Sequence, residues 1–484
     1  MKSMSHDIGV IHFVGIGGIG MSGVAEVLNT LGYKVQGSDI GESANVKRLQ
    51  AQGIKVFIGH EADNIKISAN EYCAAVVISS AIKKDNPELE AARRAKIPIV
   101  RRAEMLAELM RMKSAIAIAG THGKTTTTSM IGQMLETAGF DPTVINGGIV
   151  NAYGTNTRMG ESEWMVVEAD ESDGTFTRLP ASVAVVTNID PEHLDHYGDF
   201  DNVRKAYRQF IQNLPFYGYA VLCIDHPEVQ SMISEITDRK VITYGFNPQA
   251  DIRATNIRIT LDGSSFDVSV SPHLNGGKAL ELKDVQMSAL GEHNVLNSLA
   301  AIAIAVEMNV AAALIKKGLA DFGGVKRRFT KTGQVDNITI IDDYAHHPTE
   351  IETVLKTARR ALSESKGRVI AVMQPHRYSR LHDLFEPFCT CFNDADSVII
   401  ADVYAAGEAP IAGMDKAGLV QGIRAHGHRD VRALPDKSEL AQMLSDMAAP
   451  GDFVICMGAG DITGWAYALP EQLAAILKKS VNAA

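Results

Sequence analysis

Ala115-Ile-Ala-Ile-Ala-Gly120-Thr-His-Gly123-Lys124-Thr125-Thr126-Thr127 decides how this chain is read. Five apolar residues in a row form a short strand buried on both faces. A glycine loop follows, and Ser129 to Gly139 then carries helical spacing. Strand, glycine loop and helix together make a phosphate cradle, because backbone amides and the helix N-terminus both favour an anion. Lys124 is placed to neutralise terminal phosphates and Thr125 to ligate Mg2+. Only Thr121 and His122 separate Gly120 from Gly123, so the loop is two residues shorter than the common Gly-Lys-Ser/Thr pattern.

Downstream, two more strands end in acids. Trp164-Met-Val-Val-Glu168-Ala-Asp170-Glu171-Ser172-Asp173 is the first. Val183-Ala-Val-Val-Thr187-Asn188-Ile-Asp190-Pro-Glu192-His193-Leu-Asp195-His196 is the second. Carboxylate oxygens suit Mg2+, which makes Glu168 the leading partner for the loop, with His193 and His196 at the rim. The bland alternative leaves these as ordinary loop residues.

Upstream, Val10-Ile-His-Phe-Val14 runs into Gly15-Ile-Gly17-Gly18-Ile19-Gly20 and then a helical stretch from Met21 to Leu28. A strand ending in Ser38 and Asp39 places an acid about 20 residues past the glycines, where a ribose hydroxyl sits in dinucleotide sites. The pattern fits a dinucleotide or any nucleoside diphosphate. Ser79 and Ser80 follow one later strand, and Arg101 and Arg102 follow another. Ligands of open α/β sheets bind at carboxyl ends of strands, but a solvated surface role suits the arginines equally. Two phosphate turns on successive α/β units suggest a phosphate-bearing substrate plus ATP, since a dehydrogenase or a simple NTPase needs only one.

The whole chain has 484 residues, which suggests roughly three domains at about 150 residues each. The net charge of −10 gives no electrostatic footprint for nucleic acid. Five cysteines form no even framework, and a reducing cytosol fits them best. Cys389-x-Cys391 lacks the second half of a zinc site. The apolar run from Ala300 to Ile315 contains Glu307 and Asn309 and reads as a buried helix, so no membrane insertion is expected. The first ten residues lack an apolar signal core.

Gly120-Thr-His-Gly-Lys-Thr-Thr-Thr127, Glu168-Ala-Asp-Glu-Ser-Asp173, Asn188-Ile-Asp-Pro-Glu-His193 and Gly291-Glu-His-Asn-Val-Leu-Asn297 together resemble the Mur ligases. The opening glycine turn, Asp342-Asp-Tyr-Ala-His-His-Pro348 and Gln374-Pro-His-Arg-Tyr-Ser-Arg380 resemble its alanine-adding members. The resemblance spans all three expected domains, and the short phosphate loop is that family's own form.

It implies an α/β chain of three domains: an N-terminal Rossmann-like domain (1–112), a central P-loop ATPase-type mononucleotide-binding domain (113–326) and a smaller C-terminal Rossmann-like domain (327–484). The implied reaction is ATP-dependent ligation of L-alanine to the lactyl carboxylate of UDP-N-acetylmuramate in the cytoplasm, with two Mg2+ ions and a monomer or homodimer as the working unit. Gly15, Gly17, Gly18, Ile19, Ser38, Asp39, Ser79, Ser80, Arg101 and His122 would hold the UDP-sugar. Gly120, Thr121, Gly123, Lys124, Thr125 and Thr126 would hold ATP phosphates. His293, Asn294 and Asn297 would take the adenine side, although a capped core helix over 294–308 explains them too. Arg327 would reach the ATP phosphates and Asp343 the ATP ribose. Thr125, Glu168 and His193 would bind metal.

Tyr344, His376, Arg377 and Arg380 would line the amino-acid pocket, where a guanidinium fork suits a carboxylate. Arg380 and, less readily, His376 can also be read as part of a surface helix cap. Lys124, His193, Arg327 and His376 would be catalytic. The base that deprotonates the amine stays open among His193, His346 and His347. Lys205 lies in a register that does not suit the carbamylated lysine of some relatives. An NAD-linked oxidoreductase accounts for residues 1–112 alone, and a non-catalytic nucleotide-binding module leaves Lys124, Glu168 and His193 without a purpose.

Overall fold

The computed structural model describes residues 8–79, 81–260, 263–363 and 365–483. Ser80, expected at the UDP-sugar, lies outside them. The chain divides into two compact units. One comprises residues 1–255, 267–285 and 296–323; the other comprises 256–266, 286–295 and 324–484.

In the first unit, a five-stranded parallel sheet has the order Lys55–Ile58, Val35–Asp39, Ile11–Val14, Ala75–Ile78, Ile99–Arg101. The chain moves outward twice from Ile11–Val14 and then returns to its other side. That reversal opens a crevice at the carboxyl end of Ile11–Val14, where the first glycine turn stands. The same logic governs the ten-stranded sheet. Ser114–Ala119 lies between Trp164–Glu168 and Val183–Val186, parallel to both. The phosphate loop therefore emerges between the two acid-bearing strand ends. Beyond them stand Thr143–Val150 and Thr155–Arg158 on one side and Tyr219–Cys223 and Lys240–Gly245 on the other. The central strands are apolar throughout because helices cover both faces. One continuous apolar cluster joins Ile11 and Phe13 to Ile145, Val167, Phe210 and Met232.

The helix after the loop spans Lys124–Thr137, five residues earlier than its sequence suggests. Thr125 to Thr128 are β-branched and poor helix formers, but all are buried and packing outweighs propensity. The helix expected at 294–308 spans Glu292–Glu307.

In the second unit, a six-stranded sheet has the order Thr330–Val335, Ile338–Asp343, Phe453–Met457, Val369–Met373, Ser397–Ile400, Val431–Ala433. Only the first pair is antiparallel. Asp342 and Asp343 end the second strand and are buried. Among the described residues, no helix is long and apolar enough to cross a membrane.

Candidate active site

The phosphate loop is built around two glycines that tolerate no side chain. Gly120 has φ +138°, and a Cβ there would lie 1.9 Å from Thr187 Oγ1. Gly123 has φ +83°, and a Cβ there would lie 2.7 Å from Asn297 Oδ1. Asn297 therefore stands directly against the loop. Thr121 Oγ1 accepts from the Asp190 amide (2.8 Å), and the Thr121 amide donates to the Asn188 carbonyl (3.1 Å). Thr125 and Thr126 are buried in the first turn of the helix.

Lys124 folds back over its own loop. Its Nζ donates to the carbonyls of Gly120 (2.6 Å) and Thr121 (3.0 Å) and to Glu171 Oε1 (2.8 Å). Burial opposes its charge, but Glu171, Glu168 and Asp170 keep its pKa above the usual lysine value. Glu168 is held differently: its Oε2 accepts from the Gly147 amide (2.8 Å), and a Cβ on Gly147 would lie 2.5 Å from its Oε1.

His193 adopts φ +57° at the start of the short helix Leu194–Tyr197. Its Nε2 lies 3.8 Å from Glu171 Oε1 and 3.8 Å from Glu192 Oε2. His193 thus gathers with Glu171 and Glu192, a grouping that the pairing of Glu168 with His193 did not anticipate. His196 is exposed and stands edge-on to Tyr197.

His122, expected at the UDP-sugar, turns instead to Asp190, with Nε2 3.2 Å from Oδ2. His226 approaches the other oxygen of Asp190 at 3.5 Å. Contacts from His122 and His226 hold the Asp190 carboxyl well below the usual range. The physical reason is proximity: Asn188 Oδ1 accepts from the His122 amide (2.7 Å) and fixes the ring beside Asp190.

At the first glycine turn, Gly15 has φ +74°, and its amide donates to the Ser38 carbonyl (2.8 Å). The Gly18 amide donates to the Gly15 carbonyl (3.1 Å), which closes the turn. Ile19 opens the helix Ile19–Thr30 and is partly exposed. Asp39, placed by its spacing at a ribose, instead accepts from the Gly17 amide at 2.8 Å, because the adjacent strand end brings its carboxylate over the turn. Ser38 is fully buried and donates to Glu88 Oε2 (2.7 Å), inside a network with Asn64, His60 and His12. Burial opposes the Glu88 charge, but His12, Ser38 and Asn64 keep its pKa below the usual value. Ser38 therefore braces the sheet rather than facing the crevice. Ser79 follows Ala75–Ile78, and its carbonyl accepts from the Ile82 amide (3.2 Å).

Arg101 is exposed at the start of the helix Arg102–Met110. Its neighbour Arg102 holds the central position instead. The Arg102 guanidinium lies 3.1 Å from where a Gly20 Cβ would stand, and Nη2 donates to Asp170 Oδ2 (2.7 Å). Arg102 thereby links the first glycine turn to the acid loop beside Lys124.

In the second unit, the expected ATP-side residues are engaged locally. Arg327 has φ +63°, stacks 4.6 Å over the Tyr344 ring and donates through Nη2 to the Gly458 carbonyl. Asp343, expected at the ATP ribose, accepts from the amides of Phe329 (2.7 Å) and Ala345 (2.7 Å). Burial pushes its pKa up to about 6. A buried carboxylate takes the nearest amides, and both of its oxygens are already used to shape the loop. Asn294 Nδ2 donates to the Leu290 carbonyl (2.7 Å). Burial and Arg328 push His293 down to about 4, so its ring is neutral at physiological pH.

The amino-acid residues form an aromatic row. Tyr344 and His346 have ring centroids 5.0 Å apart, His346 and His376 6.1 Å, and His376 stacks on Tyr404 at 5.5 Å and 9°. Arg380 Nη1 lies 3.5 Å from His376 Nδ1. Arg377 is exposed, with φ +70°. Burial, then His346, Arg380 and Arg377, push His376 down to about 4. A neutral ring can accept from an ammonium group without repelling it. His347 caps the helix Pro348–Ala361.

Three family models match the chain: the Mur ligase family catalytic domain over residues 10–114, the Mur ligase middle domain over 118–305 and the Mur ligase glutamate ligase domain over 327–460. A protein named UDP-N-acetylmuramate–L-alanine ligase from Rhizobium johnstonii is 61% identical over 98% of this chain and 99% of its own length. One of the same name from Rhodospirillum centenum is 60% identical over 98% and 97%. The chain belongs to the Mur ligase family. The crystal structure of UDP-N-acetylmuramate-alanine ligase from Thermotoga maritima superposes with a TM-score of 0.78 at 29% identity, covering 98% of this chain and 100% of that one. A murein peptide ligase from Psychrobacter arcticus shares the fold, with a TM-score of 0.68 at 24% identity over 96% and 99%.

The donor set of this Mur ligase fits a divalent cation. Ligand atoms of Glu171, Glu192 and His193 lie within 4.8 Å of one another. Glu171 Oε2 is buried with no hydrogen-bond partner, an expense that a cation would relieve. Sequence reasoning quoted Glu171 and Glu192 without choosing them, because Glu168 stands at the strand end and they do not. Strand-end placement could have flagged Tyr404, which follows Ser397–Ile400.

Proposed function

We propose that the protein joins L-alanine to the lactyl carboxylate of UDP-N-acetylmuramate at the expense of ATP, yielding UDP-N-acetylmuramoyl-L-alanine, ADP and phosphate for peptidoglycan precursor synthesis in the cytoplasm. The observation that carries this reading is 61% identity over 98% of the chain to a relative of that name, with Lys124 intact in its loop. The domain limits 1–112, 113–326 and 327–484 remain our division; the separate sheets and the family matches at 10–114, 118–305 and 327–460 support it.

A carboxylate resists attack by an amine because oxide is a hopeless leaving group. Transfer of the γ-phosphoryl to that carboxylate gives an acyl phosphate and ADP. The neutral amine of alanine then forms the C–N bond, phosphate departs, and one proton is released. The demand on the protein is alignment and charge neutralisation. Lys124 leaves Glu171 to meet the γ-phosphate, and the amides of Gly120 to Lys124 cradle the β-phosphate. Asn297 sits at the loop and, with His293 and Asn294, takes the adenine side. Arg327 leaves its stack on Tyr344 to meet ATP.

Gly15, Gly17, Gly18 and Ile19 receive the UDP-sugar diphosphate. Arg377 and Arg380 hold the alanine carboxylate, and Tyr344 and neutral His376 line the pocket. Thr125, Glu168 and His193 would hold Mg2+, joined by Glu171 and Glu192, with two ions in all. When bound, Mg2+ supplies positive charge that lets two anions approach.

Phosphate release with Mg-ATP and UDP-N-acetylmuramate tests the reaction, with L-alanine, glycine, L-serine or a murein tripeptide offered separately. L-alanine should give the highest kcat/KM. Release that needs the tripeptide and ignores alanine would make this a peptide-recycling ligase instead; no acceptor-dependent release would leave a nucleotide-binding module. The metal site is tested without turnover: in Mn2+ titrations followed by electron paramagnetic resonance, Glu171→Gln should weaken binding by about tenfold or more. Unchanged Mn2+ affinity would remove Glu171 from the donor set.

A further inference from the structure

We propose that Tyr404 is the specificity-determining wall of the amino-acid pocket, a ring that stands between a site sized for a small L-amino acid and a second cavity that it also lines. This inference rests on the placement of the acceptor beside His376, Arg377 and Arg380. One face of the Tyr404 ring stacks on His376, with centroids 5.5 Å apart and planes within 9°. The same residue lines a cavity of about 300 Å3, shared with Gln374, Leu434, Lys437, Asp461 and Trp465. A ring that touches the acceptor histidine and also borders an open volume decides how far an acceptor side chain can extend.

Two backbone hydrogen bonds fix where the ring springs from, and a close neighbour limits its room. The Tyr404 amide donates to the Pro375 carbonyl (2.8 Å), and the Tyr404 carbonyl accepts from the Arg377 amide (2.9 Å). These two bonds tie Tyr404 to the segment that carries His376 and Arg377. Gly460 closes the remaining approach: a Cβ there would lie 2.7 Å from Tyr404 Cγ and 2.4 Å from Gln374 Oε1. Gln374 is itself fixed, because its Nε2 donates to Asp461 Oδ1 (2.7 Å) and its Oε1 accepts from the Ile462 amide (3.2 Å). Tyr404 is 40% exposed, so the ring presents surface rather than filling the core. A flat ring stacked on His376 excludes long side chains by overlap. In that cavity the half-buried Trp465 offers apolar surface that a larger acceptor side chain would cover once the ring is gone.

The test compares Tyr404→Ala, Tyr404→Phe and Arg380→Ala by phosphate release with L-alanine, L-valine and L-leucine. Tyr404→Ala should raise the ratio of kcat/KM for L-leucine over L-alanine by about 10- to 100-fold. Tyr404→Phe keeps the ring and should leave that ratio within about twofold. Arg380→Ala should raise the KM for alanine far more than that for ATP. If Tyr404→Ala lowers every acceptor in proportion, the ring is merely structural and the proposal is overturned, provided that Arg380→Ala behaves as expected. If Arg380→Ala also leaves the alanine KM unmoved, the acceptor site itself lies elsewhere. Both readings then fall, for a reason the two variants tell apart.

Discussion

Lys124→Ala should abolish turnover and leave UDP-sugar binding measurable. Lys124 places its ammonium on the loop carbonyls, and a phosphoryl group in transfer needs that charge. A fall in kcat of about 1,000-fold or more is expected. One complication comes from Glu171. With its partner gone, a carboxylate 4% exposed keeps a buried charge without compensation, which itself destabilises the fold. Burial already pushes its pKa up against the pull of Lys124. Thermal unfolding of Lys124→Ala should therefore show a lowered Tm, and adding Glu171→Gln should restore much of it without restoring turnover. Recovery of activity in the double variant would mean that the lysine only props the loop. Equal loss of UDP-sugar binding and turnover in the single variant would mean that the loop collapses.

Gly120→Ala carries the second large effect. The new methyl group would stand 1.9 Å from Thr187 Oγ1, at a backbone angle L-residues rarely adopt. Overlap and strain each cost roughly 1–3 kcal/mol. The backbone can escape only by moving the loop, so ATP affinity should fall by about 100-fold while UDP-sugar binding stays within a few fold. Isothermal titration with a non-hydrolysable ATP analogue reads both. Replacing Thr187 by Ala in the same chain removes the worst overlap and leaves the backbone strain and the tighter contacts at 3.1 Å to Thr187 Cβ and N. A partial recovery of analogue binding should follow, and a complete one would show that the conformation at Gly120 is not demanding.

What the residues disclosed in advance was local. Strand, glycine turn and helix are contiguous, and period and glycine spacing expose them at both phosphate loops. Partnerships over long separations stayed hidden. Nothing near Ser38 announces Glu88, fifty positions away, and so a buried hydroxyl was mistaken for a ligand contact. Arg102 was overlooked in favour of Arg101, since only the helix that starts between them shows which of the two faces Asp170. Asp343 belongs to a strand that runs beyond its apolar core, which hydropathy alone does not mark. The threonine run concealed the start of its helix, because local preference there opposes the packed outcome. Membership of the family was legible because several separate motifs coincide, which no one of them could have established.

The pairing of Lys124 with Glu171 also bears on inhibitor discovery. At rest the enzyme spends its most valuable cation on itself. Any acidic fragment aimed at that pocket must first evict an internal competitor, so its measured affinity understates its true complementarity. Compounds carrying a cation of their own, able to engage the displaced glutamate while an acidic arm takes the lysine, would escape that penalty.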